Sequence, residues 1–117
     1  MDSNNSEKIA RLAAKAASDK KASEIMILNM QGLSNVTDYF LIASATSTTQ
    51  VQAIADNIEK ELDKVKVSAL RREGYREARW VLLDFGDLVA HIFVEEDRAF
   101  YNLERLWADA PVEVYED

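Results

Sequence analysis

Residues 80–93 carry the clearest hydrophobic pattern, with an apolar run on each side of a Gly-Asp pair. This arrangement predicts a tight β-hairpin about Gly86-Asp87, with Phe85 opposite Leu88. Because side chains alternate along a strand, the hairpin has two different faces. The apolar face carries Val81, Leu83, Phe85, Leu88, Ala90 and Ile92. The other, termed the mixed face, carries Trp80, Leu82, Asp84, Val89, His91 and Phe93. One dry face and one aromatic, charged face indicate a docking surface.

Apolar spacing along the rest of the chain predicts three helices and three further strands. The first helix is expected to begin at a cap on Ser6, the longest at the capping box Ser47-Thr48-Thr49-Gln50, and the last at Asp97. The further strands are predicted at residues 24–29, 39–45 and 67–71. Since strands occur both in succession and separated by helices, the expected fold class is α/β. It is a single mixed sheet of about five strands flanked by helices.

The length and composition predict one folded domain. A chain of 117 residues that is 48% hydrophobic can bury a core without disulfides, and it contains no cysteine. No apolar run approaches the roughly 20 residues that cross a bilayer, so a cytoplasmic location is expected. We predict a disordered N-terminus at residues 1–5, a domain at residues 6–108 and an acidic C-terminal tail at residues 109–117.

The net charge of −7 is concentrated at the C-terminal end. From Glu95 onward there are eight acidic and two basic residues, whereas residues 1–94 carry thirteen and twelve. Such a chain is not expected to be held on nucleic acid by phosphate contacts, and no direct sequence-specific nucleic-acid binding is expected. An acidic surface favours a basic partner, and a solvated tail that maintains solubility is the alternative.

The sequence contains few signals of catalysis. Asp84-Phe85-Gly86 spells the metal-binding tripeptide of protein kinases, but the chain lacks their other motifs, and a hairpin turn explains it better. Asp84 and Asp87 are candidates for a shared metal, although aspartates in turns more often bond to their own backbone. His91 is the single histidine, and a structural role is favoured over that of a base. We therefore expect no catalytic residue, metal or cofactor.

Four segments resemble the ribosomal silencing factor family, also called Iojap-like, over about residues 7–107. They lie in family order and at family spacing, and they are Gln31–Phe40, Thr46-Ser47 with Ala55-Asp56, Trp80–Asp87 with His91, and Phe100–Trp107. The resemblance implies a bacterial or organellar factor that binds the large ribosomal subunit at its fourteenth protein. It also implies that the factor blocks joining of the small subunit and represses translation, especially when nutrients are short.

The resemblance further implies which residues make the contact. The family's contact positions correspond to Trp80, Leu82, Asp84 and Tyr101 in this sequence. The implied fold is similar in topology to nucleotidyltransferases, but the Gly-Ser motif and spaced aspartates of those enzymes are missing. No enzymatic activity is therefore expected. Related organellar members are linked to assembly of the large subunit.

Two other interpretations remain open from the residues alone. The first is a small metal-dependent nucleotidyl- or phosphotransferase that uses Asp84, Asp87 and His91. The second is a homodimerisation module that uses the mixed face, where Trp80 is equally suited to an interface and to a core. A homodimer would be compatible with ribosome binding, because it would cover the docking face until the partner competes for it.

Overall fold

The sheet has six strands in the order β3-β4-β5-β2-β1-β6. The computed structural model describes residues 3–33, 35, 37–97 and 110–116. Strands β2 and β5 are parallel, and the other neighbouring pairs are antiparallel. The predicted α/β class with one mixed sheet is confirmed, with six strands instead of about five. The elements are α1 (Ser3–Asp19), β1 (Ser23–Asn29), β2 (Tyr39–Ala45), α2 (Thr48–Asp63), β3 (Arg71–Glu73), β4 (Trp80–Asp84), β5 (Leu88–Val94) and β6 (Val112–Val114).

The central strands are covered on both faces. All seven residues of β5 are buried, and β2 is buried at every position except Phe40. Parallel neighbours need a crossover connection, which here contains α2. Helices α1 and α2 pack on the apolar face, where all six hairpin residues assigned to that face by alternation join one core cluster. On the mixed face a second buried cluster contains Leu28, Met30, Ile42, Phe93 and Ala110.

Helix α2 begins at the predicted cap. The Ser47 hydroxyl accepts a hydrogen bond from the Gln50 amide nitrogen at 3.1 Å. The Gln50 side chain completes a different set of bonds from those of a standard capping box. Its Oε1 accepts from the Thr46 amide and hydroxyl, and its Nε2 donates to the carbonyls of Lys20 and Lys21. Gln50 therefore ties the start of α2 to the turn that follows α1.

Helix α1 begins at Ser3, three residues before the predicted cap. Ser6 is fully buried, and its hydroxyl donates to Asp38 Oδ2 at 2.9 Å. Residues 3–5, which the sequence predicts to be disordered, are the first residues of α1 in the structure, and residues 1–2 lie outside the described part. Because extending a formed helix adds one bond for each residue fixed, an anchored turn at Ser6 favours extension toward the N-terminus.

Strand β3 begins at Arg71, four residues later than the start of the predicted strand at 67–71. The chain leaves α2 through Lys66, at a positive φ of 65°, and the Val67 amide bonds back to the Leu62 carbonyl. The turn that follows α2 therefore extends to residue 67, and pairing with β4 begins only at Arg71.

Two predictions at the C-terminal end also change. Residues 112–114 of the predicted acidic tail form β6, which pairs with β1 at the sheet edge. A bidentate ion pair between Arg11 and Glu113, with both bonds at 2.6 Å, fastens this strand to α1. Asp97 lies in a helical turn at residues 95–97 and is not its cap. The predicted helical residues Phe100, Leu103, Leu106 and Trp107 lie outside the described residues.

In the described residues, no helix is both long enough and apolar enough to cross a membrane.

Candidate functional site

The hairpin has the predicted register. The Phe85 amide donates to the Leu88 carbonyl at 2.8 Å, so Gly86 and Asp87 form a two-residue loop. Gly86 has a φ of +91°, a conformation that suits glycine at the first position of such a loop. Asp84 Oδ1 accepts from the Gly86 amide at 2.9 Å. The expected bond between an aspartate and its own turn is therefore present.

Strand β4 presents a half-buried strip on the mixed face. Trp80, Leu82 and Asp84 are each partly exposed, whereas Val81 and Leu83 between them are fully buried. We term the three exposed side chains the β4 strip. Two large apolar groups lead to one carboxylate along about 13 Å of strand, since alternate residues stand about 6.7 Å apart. The strip therefore offers a partner apolar area that ends in a negative charge.

Two buried side chains of β5 hold the Trp80 side chain in place. Its indole Nε1–H donates to His91 Nδ1 at 3.0 Å, and its ring stacks on Phe93 with centroids 5.1 Å apart. Phe93 is fully buried and belongs to the mixed-face cluster. The tryptophan thus combines a fixed buried edge with an exposed edge, as aromatic residues at protein interfaces often do.

His91 is a structural residue in this arrangement. It is 6% exposed and packs edge-on against Phe40, with ring centroids 5.1 Å apart. Burial lowers its pKa to about 4, so the imidazole is neutral at neutral pH. Because Nδ1 accepts from the indole, the remaining proton is on Nε2. These facts favour the structural role over that of a base.

The two carboxylate oxygens of Asp84 have different partners. Oδ1 accepts within the turn, and Oδ2 forms an ion pair with Arg71 Nη2 at 3.8 Å, which is too long for a hydrogen bond, so Oδ2 can still accept one from a partner. Arg71 also makes a 3.0 Å ion pair from its Nε to Glu73. Sequence reasoning missed Arg71, because its place beside Asp84 depends on the later start of β3.

The transferase interpretation has no supporting geometry in the described part of the chain. No group of three or more acidic or histidine side chains there is placed to hold a metal ion. His91 is buried with Nδ1 bonded to Trp80, and Asp84 is bonded to its own turn.

Tyr101 lies outside the described residues, so its position relative to the β4 strip stays a prediction. The chain that leads to it is fastened next to Trp80. Arg79 Nε and Nη2 donate to the two carboxylate oxygens of Asp97, at 2.9 and 2.8 Å. These bonds lower the pKa of Asp97. Sequence reasoning missed this pair, because only the folded sheet brings residues 79 and 97 together.

The fold and the β4 strip define a protein with a half-buried aromatic and acidic surface on an α/β sheet.

The family model described as "Ribosomal silencing factor during starvation" matches residues 3–117. The ribosomal silencing factor of Bacillus subtilis is 48% identical over 108 residues, which are 92% of each chain. A crystal structure of a protein from Bacillus halodurans is 44% identical, with a TM-score of 0.82, over 93% of this chain and 99% of that one.

A more distant relative is the mouse protein named "Mitochondrial assembly of ribosomal large subunit protein 1". It is 32% identical over 91 residues, which are 75% of this chain and 40% of that protein. The chain belongs to the ribosomal silencing factor family, whose names describe regulators of translation. The resemblance expected over residues 7–107 is confirmed, and the match also includes the acidic tail.

Proposed function

We propose that this chain binds the large ribosomal subunit through its fourteenth protein and blocks joining of the small subunit. Translation is then repressed, especially under nutrient limitation. The family's description names silencing during starvation, and the mouse relative's name refers to the large subunit. Trp80, Leu82, Asp84 and Tyr101 are the proposed contact residues.

The observation that carries this proposal is the half-buried β4 strip on a rigid base. Trp80 stacks on a fully buried ring, and Asp84 is fixed by its turn, so both side chains are oriented before a partner arrives. Such preorganisation reduces the entropy lost on binding. The apolar pair would bury area at about 25 cal/mol per Å². Asp84 Oδ2 would accept a charge-assisted hydrogen bond from a lysine or arginine of the basic ribosomal protein.

The proposed block is steric. The chain extends 35 × 32 × 27 Å, and helices α1 and α2 lie on the face of the sheet opposite the β4 strip. When the strip contacts the large subunit, the helical layer therefore projects away from that contact. A body of this depth on the subunit interface would occupy the space that the small subunit needs.

Co-sedimentation with purified large subunits tests the proposed face. We expect Trp80→Ala and Asp84→Lys each to weaken binding about tenfold or more, because truncation or charge reversal at an interface hot spot has effects of this size. Val65→Ala is a matched apolar truncation at an exposed position before Lys66, and Asp63→Lys is a matched charge reversal at the end of α2. Both controls should bind as the wild type does.

Normal pelleting of both Trp80→Ala and Asp84→Lys would show that the β4 strip is not the contact surface.

Self-association through the same face is the second arrangement that we propose. Light scattering would detect it as a dimer that Trp80→Ala converts to a monomer. Added large subunits should also dissociate that dimer, since both partners would use one surface.

A further inference from the structure

The Trp80 indole has a specific buried hydrogen-bond acceptor. Its Nε1–H lies 3.0 Å from His91 Nδ1, on the neighbouring strand of the hairpin. The β4–β5 register pairs Trp80 with Phe93 and Leu82 with His91. The indole therefore reaches diagonally across the strand pair to His91, which lies two residues before Phe93 in β5. The stack on Phe93 fixes the plane of the ring, and the hydrogen bond fixes which edge of the ring points inward.

The imidazole is itself held rigidly. Phe40 packs against it edge-on at 5.1 Å, and Phe93 lies nearly parallel to it, at 12° and 6.3 Å between centroids. Three aromatic side chains from β2, β4 and β5 therefore surround His91. With 6% of the residue exposed, water has little access to replace it as the acceptor. The inward edge of the Trp80 indole is therefore bonded to a rigid, buried group.

We infer that His91 is a positioning residue for ribosome binding: it orients the Trp80 indole so that the exposed edge matches the partner. This inference rests on the proposed function of the β4 strip. An apolar residue at position 91 would remove the His91 acceptor of the indole N–H, and the loss of a hydrogen bond at a buried position is unfavourable. The indole would then turn its N–H toward water, and its exposed edge would no longer be preset for the partner.

His91→Asn and His91→Leu form a matched pair. Both side chains have four heavy atoms, but only asparagine has an oxygen where His91 has Nδ1. We expect His91→Leu to weaken binding to purified large subunits about three- to tenfold, the effect of one hydrogen bond. His91→Asn should bind within about twofold of the wild type. Thermal unfolding should show that the leucine variant is at least as stable as the asparagine variant, which separates positioning from a general loss of stability.

Indole N–H exchange, measured by NMR in the free protein, gives a readout that does not depend on the ribosome. The Trp80 signal, assigned by its loss in Trp80→Phe, should exchange slowly in the wild type and His91→Asn and faster in His91→Leu. If the leucine variant does not fold, His91→Met replaces it as an apolar side chain of adaptable shape. Binding by His91→Leu or His91→Met equal to that of the wild type would overturn the inference. If Trp80→Ala also binds normally, the proposed function fails as well; if Trp80→Ala is impaired, only the inference fails.

Discussion

Burial of the His91 imidazole makes the stability of the folded chain depend on pH. The unfolded chain binds a proton on this side chain near pH 6.5, whereas the folded chain binds it only near pH 4. Between these values the unfolded state binds more protons, so the free energy of unfolding rises with pH and the stabilisation is lost as pH falls. We expect a loss of about 2 kcal/mol between pH 7 and pH 5, measured by urea unfolding at each pH.

His91 is the single histidine of the chain, which makes the control simple. His91→Asn removes the titrating group, so its stability should change far less over the same range. Equal pH dependence in the two proteins would contradict the buried, neutral state of His91.

Gly74 allows the chain to approach β4 closely. It has a φ of +78°, and a Cβ atom there would lie 2.1 Å from the Trp80 carbonyl oxygen. Gly74→Ala should therefore lower the free energy of unfolding by more than about 2 kcal/mol, from backbone strain and from the clash together. Gly32, at +83°, has no atom within 4 Å of the corresponding position, so Gly32→Ala should show the strain alone, about 1 kcal/mol. Equal losses in urea unfolding would rule out the clash.

Single residues show which parts of the site the sequence can predict. Alternation about Gly86-Asp87 correctly places Trp80, Leu82 and Asp84 on one face, because a strand has a fixed period of two and the loop sets the register. The bond from Trp80 to His91 requires side-chain rotamers as well as register, and the sequence does not specify these. The same limit applies to Arg79 and Asp97, which meet only in the folded sheet.

At the scale of elements, the start of α2 depends on Gln50 as much as on its cap. The Ser47 hydroxyl accepts one backbone bond, whereas the Gln50 amide group takes part in four bonds that reach Thr46, Lys20 and Lys21. Ser47→Ala should lower the free energy of unfolding by about 1 kcal/mol, the usual effect of losing a cap. Gln50→Ala should lower it by at least as much, because the turn after α1 is released as well.

Gln50→Glu is the matched variant for this prediction. A carboxylate can still accept from Thr46 but cannot donate to the carbonyls of Lys20 and Lys21. Its stability in urea unfolding should lie between those of the wild type and Gln50→Ala. A Gln50→Ala variant as stable as the wild type would show that these bonds do not hold α1 and α2 together.

Elements with strong local signals are predicted well, and those that depend on tertiary pairing are not. The boundaries of β2 and the cap of α2 follow from apolar runs and capping chemistry near in sequence. Strand β6 is three exposed residues in an acidic segment, shorter than the about four to eight residues over which alternation indicates a strand. It forms because the edge of β1 is open to it and Arg11 binds Glu113. Neither condition is visible in the tail itself.

At the scale of the whole molecule, two layers separate two roles. Helices α1 and α2 cover the apolar face of the sheet, and the β4 strip lies on the mixed face. In our proposal, contact with the large subunit and obstruction of the small subunit therefore fall on opposite sides of one body. The proposed silencing requires only that the chain binds the large subunit and obstructs the small subunit sterically, and it involves no chemical step.

A subunit-joining experiment tests whether the chain silences ribosomes by steric obstruction. Purified large and small subunits are mixed under joining conditions with increasing amounts of the chain and separated on a sucrose gradient. We expect the joined-ribosome peak to decline and the chain to migrate with the free large subunit, whereas Trp80→Ala should leave the joined peak unchanged. An undiminished joined peak at saturating wild-type chain, or the chain migrating with joined ribosomes, would contradict this expectation.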